Sequence, residues 1–113
     1  MIDQIRPRQL AQWLKTMRAH GEPVMLDVRE PHELQMASVQ ADGFTLLTIP
    51  MRAIPARLNE LDPQQPIACL CHHGVRSLQV AAFLHSHGFT QVVNIAGGID
   101  AWAAELDPSI AFY

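Results

Sequence analysis

Pro66-Ile67-Ala68-Cys69-Leu70-Cys71-His72-His73-Gly74-Val75-Arg76-Ser77-Leu78-Gln79-Val80-Ala81-Ala82-Phe83-Leu84 is the stretch on which the fold of this chain turns. Its first part, Pro66 to Leu70, is an apolar run that reads as a buried strand. Its last part, from Leu78, reads as a helix, and the loop between them turns through Gly74. A strand that stops at a cysteine and enters a helix this quickly sets the sulfur over the unpaired N–H groups of the first helical turn. Those groups and the helix dipole favour an anion there. The thiolate is an anion, so the position favours a nucleophilic Cys71 and predicts covalent sulfur chemistry on an anionic substrate.

The pattern continues on both sides. Leu10, Trp13, Leu14 and Met17 are spaced as one face of a helix, opened by Pro7 and closed near Gly21. Pro23 to Val28 reads as an inner strand, and Glu30 to Leu34 as a helical turn with Pro31 first. Residues 35–43 read as loop, and Phe44 to Ile49 as a strand stopped by Pro50. Met51, Ile54, Leu58 and Leu61 keep helical spacing, which predicts a helix with Pro55 in its first turn. Asp62 to Pro66 is a turn. Gly88 ends the helix that follows Cys71, Gln91 to Ile95 is a strand, and Gly97-Gly98 leads into a last helix carrying Ile99, Trp102, Ala103 and Leu106. The tail from Asp107 to Tyr113 is expected on the surface. Apolar strands alternating with helices predict an α/β fold, a parallel sheet covered on both faces with ligands bound beyond the carboxyl ends of its strands. Cys71 stands at one such end and Asp27-Val28-Arg29 at another.

Composition narrows the function classes. The chain has 113 residues, 49% of them hydrophobic and 17% charged, against a usual charged share of about 25%. This suits one compact domain over 1–113 with a substantial core. A net charge of −3 without runs of one sign gives no footprint for nucleic acid or a membrane surface. Met1 to Arg8 lacks the apolar region of a secretory signal, and no run is long enough to span a bilayer. Cytoplasmic location is the expectation. Cys69 and Cys71, two residues apart in a strand, share a face and cannot staple the fold, which fits a reducing compartment.

The loop's length selects its chemistry. Four residues separate Cys71 from Arg76, and backbone N–H groups in such a loop can converge as an anion nest. Cysteine-dependent phosphatases use a similar cradle with one residue more, wide enough for a tetrahedral phosphate. The shorter loop has room for a single added sulfur, held as a persulfide anion. Arg76 is a candidate for binding an anionic donor, or for a structural ion pair to Asp27 or Glu33. His72 and His73 are candidates for presenting backbone N–H groups with their rings in solvent. A metal site of Cys71, His72 and His73 is disfavoured, because three consecutive residues in a turn rarely converge on one ion. Cys69, Trp13 and Trp102 read as core; His32, His85 and His87 read as solvated surface.

The chain resembles the single-domain rhodaneses, a sulfurtransferase family. The residues that carry this are Asp27-Val28-Arg29, Glu33, Ile49-Pro50, Cys71 through Ser77, Gly88-Phe89, and Val93-Asn94-Ile95-Ala96-Gly97-Gly98-Ile99-Asp100-Ala101-Trp102. The ending Asp107-Pro108-Ser109 through Tyr113 is similar to rhodanese domains fused to sulfur-carrier-activating enzymes. The stretch 35–48 departs from the family pattern and is expected to form a variant loop beside the site. The resemblance implies one rhodanese-like domain with a mostly parallel sheet of about five strands and helices on both faces. It implies Cys71 as nucleophile, His72, His73, Gly74, Val75, Arg76 and Ser77 as the substrate-binding loop, and Asp27 and Arg29 as a pair behind the site. Sulfane sulfur from thiosulfate or a similar small anionic donor would pass through Cys71 to cyanide, a thiol or a protein acceptor, without metal or organic cofactor. Two other roles remain open from the residues: persulfide relay to a partner in cofactor or tRNA thiolation, and a non-enzymatic binding module.

Overall fold

The structure is a computed structural model that describes residues 2–113; Met1, the first residue of the amino-terminal stretch read above, lies outside it. Five strands form one sheet: β1 (Asp3–Ile5), β2 (Val24–Asp27), β3 (Thr45–Thr48), β4 (Ile67–Leu70) and β5 (Val92–Ile95). Their order is β1-β5-β4-β2-β3, and every neighbouring pair is parallel. The expected α/β architecture is present, and its sheet is wholly parallel. The three central strands are buried along their whole length, as strands covered on both faces must be.

Among the described residues there are four α-helices: α1 (Leu10–Met17), α2 (Pro31–Met36) and α3 (Val75–Ser86) lie between strands, and α4 (Gly98–Glu105) follows β5. Side-chain alternation along β4 divides the core in two. Ala68 and Leu70 pack with Leu10, Trp13 and Leu14 of α1 and Ile99 and Trp102 of α4. Ile67, Cys69 and Cys71 pack on the other face with Val80, Ala81 and Leu84 of α3 and with Ile54 and Leu61. Both cysteines therefore face the same way, and Cys69 is a core residue whose thiol burial pushes well above the ordinary range.

Three sequence expectations are corrected. Residues 51–61 form two short 3-10 turns, Met51–Ala53 and Leu58–Glu60, in place of a helix. Pro55, in the middle of this run, has no N–H to continue an α-helical ladder, yet Ile54 and Leu61 still reach the core. The tail does not lie wholly on the surface, because Ile110 is buried and Tyr113 is half-buried. In the stretch 35–48, Gln35 and Met36 complete α2, while Ala37, Val39 and Phe44 pack into the α1/α4 side of the core. The Phe44 ring meets Trp102 edge-on at 6.1 Å. The strand β1 was not legible: three residues carry too little pattern, and only pairing to β5 reveals it.

The architecture brings α4 against the loop after β4. The Ile99 N–H donates to the Cys71 carbonyl at 2.9 Å and the Asp100 N–H to the His72 carbonyl at 3.2 Å. Gly98 makes this approach possible. Its φ is +61°, and a Cβ there would stand 2.3 Å from the His72 oxygen and 2.5 Å from the Cys71 oxygen. We predict that Gly98→Ala costs about 3 kcal/mol or more, from left-handed strain plus a backbone clash, measured by urea unfolding. A cost below about 1 kcal/mol would show that α4 does not hold the loop this tightly.

Candidate active site

The Cys71 sulfur accepts three hydrogen bonds. The backbone N–H of Gly74 lies 3.1 Å away, that of Ser77 3.3 Å, and the Ser77 hydroxyl 3.2 Å. Three donors converging on one sulfur are suited to a thiolate, or to an anion attached to it. Ser77 is wholly buried in the first turn of α3, and Cys71 is 1% exposed. Gly74 takes φ +99°, and a Cβ on it would lie 3.0 Å from the Gly97 nitrogen. That conformation turns its N–H inward onto the sulfur. The Gly74 carbonyl accepts from Asn94 Nδ2 at 3.0 Å, so buried Asn94 on β5 pins the turn from beneath. The polar Asn94 within the apolar run 92–95 was the available sequence signal for this role.

Arg76 points to Glu33. Its two terminal nitrogens donate to the two carboxylate oxygens at 2.6 and 2.9 Å, the bidentate geometry that makes such pairs strong. Asp27 is not its partner. Asp27 instead holds Arg29, whose Nε and Nη2 donate to it at 3.0 and 2.8 Å, with both side chains sealed from solvent. Arg29 Nη1 donates to the Glu33 carbonyl at 3.3 Å and to the Tyr113 hydroxyl at 3.0 Å. The Tyr113 hydroxyl in turn donates to Glu33 Oε2 at 2.9 Å. Glu33 also caps its own helix, accepting the Glu30 N–H at 3.1 Å. The Arg76 hydrogen bonds hold the Glu33 carboxyl down at about 2; burial opposes them, and the Glu30 and Tyr113 donors assist.

The histidines divide. His73 is exposed, and its Nδ1 lies 3.9 Å from Asp100. The His72 ring, expected free in solvent, is half-buried and stacked between His73 (3.9 Å between centroids) and Tyr113 (3.8 Å, 11° between planes). Burial, then the neighbouring His73, lowers the His72 pKa, so its ring is neutral near neutral pH. Val75 is two-thirds exposed at the start of α3. Beside Arg76 a groove of about 710 Å³ runs between α3 and the turn at 51–55, lined by Met51, Ile54, Pro55, Val80 and Phe83. Among the described residues, no group of three His, Cys, Asp or Glu side chains is placed to hold a metal.

The Rhodanese-like domain family matches residues 10–105. A protein named Sulfurtransferase from Allochromatium vinosum is 34% identical over 112 residues, covering 98% of this chain and 97% of that protein. The Rhodanese-like/PpiC domain-containing protein 12, chloroplastic, of Arabidopsis thaliana is 42% identical over 96 residues, covering 81% of this chain but 31% of its own length. Adenylyltransferase/sulfurtransferases also match, over 22% to 26% of their length. Among solved structures, a rhodanese-related protein from Thermoplasma volcanium aligns with a TM-score of 0.75 and 28% identity, covering 98% of this chain and 99% of the other.

The Glu33 ion pair gives a pH signature. A carboxyl held at about 2 when folded, against an ordinary 4.5, stabilises the fold above about pH 5 and loses that contribution as pH falls toward 2. Glu33→Gln should therefore be about 2 kcal/mol less stable than wild type near neutral pH, a figure discounted for the partly exposed Arg76. The gap should close toward pH 2 in urea unfolding. A gap independent of pH would show that the charge on Glu33 is not what stabilises the loop.

Proposed function

Because this chain belongs to the rhodanese-like domain family, we propose that it is a sulfurtransferase carrying sulfane sulfur as a persulfide on Cys71. The observation that carries the reading is the convergence of the Gly74 N–H, the Ser77 N–H and the Ser77 hydroxyl on the Cys71 sulfur. In the first half-reaction the Cys71 thiolate attacks the outer sulfur of thiosulfate. The sulfur–sulfur bond of the donor breaks, sulfite leaves with its electron pair, and the terminal persulfide sulfur takes the negative charge. In the second, a nucleophile such as cyanide or a thiolate attacks that outer sulfur, and Cys71 leaves as thiolate. Each half forms one bond to sulfur and breaks one, so neither metal nor organic cofactor is needed, and the kinetics are ping-pong. Donors already aimed at the sulfur stabilise the charge without reorganising during the reaction. The apolar groove beside Arg76 gives a thiol or protein acceptor a surface next to the loop. Two free, buried cysteines suit a reducing compartment and support a cytoplasmic location.

A second reading, persulfide relay from a protein donor, is favoured by the charges. Arg76 is bound through both nitrogens to Glu33, Arg29 is sealed against Asp27, and His72 is neutral near neutral pH. These three side chains offer a doubly charged donor such as thiosulfate little unpaired attraction. A persulfide delivered by a partner does not require it.

Mass spectrometry after incubation with thiosulfate, or with a cysteine desulfurase and cysteine, tests both readings. Wild type should gain one sulfur on Cys71 and Cys71→Ala none. No gain in wild type from either donor, or equal gain in Cys71→Ala, contradicts sulfur transfer through this residue. Faster loading from the desulfurase supports relay; faster loading from thiosulfate returns the assignment to a thiosulfate-type enzyme.

A further inference from the structure

Tyr113 stands where three parts of the site meet, although it lies far along the chain from all of them. Its hydroxyl accepts from Arg29 Nη1 at 3.0 Å and donates to Glu33 Oε2 at 2.9 Å. Its ring lies flat against His72, the residue that follows Cys71. Burial, the largest influence on its pKa, raises it, so the phenol keeps the proton it donates to Glu33.

Apolar anchoring of the tail does not account for the two hydrogen bonds of the Tyr113 hydroxyl. Ile110 is already buried in the α1/α4 core, and the Asp107 side chain accepts from the Ser109 N–H and hydroxyl to close the preceding turn. After Ile110 the chain exposes Ala111 and Phe112, with Phe112 66% exposed, while the Tyr113 ring packs against the edge of the same core. It then turns back and places Tyr113 on the catalytic loop. The exposed phenylalanine beside a half-buried tyrosine is explained by the polar and stacking contacts that only Tyr113 makes.

The two contacts act on different parts of the loop. The hydroxyl fills one of the oxygen positions of Glu33, the carboxylate that holds Arg76, and so fixes the side of the loop that enters α3. The ring fixes His72, whose carbonyl is held by the Asp100 N–H. Gly74 lies between these points and Ser77 directly follows Arg76; these two residues are the donors to the sulfur.

We propose that Tyr113 is a positioning residue for sulfur loading at Cys71: its hydroxyl sets Glu33 and Arg76, its ring sets His72, and together they hold the sulfur-binding N–H groups in place before the donor arrives. This rests on the sulfurtransferase reading above. The hydrogen bonds to the Cys71 sulfur come from Gly74 and Ser77 and not from Tyr113, so a positioning role belongs on the rate of loading and not on donor affinity.

Tyr113→Phe keeps the ring and removes the hydroxyl; Tyr113→Leu removes both. Persulfide formation on Cys71 in the full chain, followed with thiosulfate and with cysteine persulfide, separates the saturating rate from the donor KM. Proton NMR of the His72 ring reports the stack. Tyr113→Phe should load about tenfold more slowly at saturation, because small errors in reacting geometry are costly, with KM unchanged and the ring-current shift of His72 retained. Tyr113→Leu should lose the shift and load more slowly again. Thermal unfolding gives the folded fraction of each variant. Loading that falls only in proportion to the folded fraction, or a change confined to KM, overturns the proposal. Wild type that loads beside variants loading equally fast overturns this inference alone. Wild type that never gains sulfur overturns the sulfurtransferase reading and this inference with it.

Discussion

Three hydrogen-bond donors meet at the Cys71 sulfur, and the surrounding structure is arranged so that they can. Neutral thiols attract donors weakly, so aiming two backbone N–H groups and a hydroxyl at one sulfur is useful chiefly when that sulfur carries charge. The loop must turn within the few residues between Cys71 and Ser77. It does so with Gly74 in a left-handed conformation. Its outward carbonyls are taken by the first turn of α4 and by Asn94. The sulfur thus faces the start of one helix while the loop backbone is held by the start of another. This double arrangement depends on the parallel sheet, because both helices begin beyond the carboxyl ends of adjacent strands, β4 and β5.

The charges around the loop are paired in a way that serves shape first. Asp27 and Arg29 are sealed against each other, and neither is free for substrate. A buried pair of this kind adds little net stability over apolar packing but is costly to break on one side. Its arginine also reaches the Glu33 backbone and Tyr113, so it links β2 to α2 and to the end of the chain. Glu33 belongs at once to the cap of α2, to Arg76 and to Tyr113. The loop is consequently fixed from α2, α4, β5 and the tail, and its sulfur remains almost completely covered.

Much of this was legible in the residues. The strand, cysteine, glycine and helix order of 66–84 located the sulfur on which the three donors converge. Period-two alternation placed Cys69 and Cys71 on one face, and helical spacing found α1 and α4. What could not be read was decided at a distance. Pairing to β5 alone defines β1. The helical spacing of Met51 to Leu61 is real, since Ile54 and Leu61 are buried, but Pro55 breaks the backbone that would join them. Asp27 and Glu33 were both candidates for an ion pair with Arg76, because sequence does not show that Arg29 folds back on Asp27. Tyr113 is 80 residues from Glu33, and only the folded chain brings the two together.

The central claim is that the Gly74 and Ser77 N–H groups hold the sulfur on which the chemistry occurs. Amide chemical shifts measured by NMR before and after loading Cys71 with one sulfur test it directly. The account predicts that the largest changes fall on Gly74 and Ser77, with residues of β1 and β3 unmoved, and that removing the sulfur with cyanide reverses them. A loaded protein whose Gly74 and Ser77 amides do not move, or whose changes spread evenly over the sheet, would contradict it.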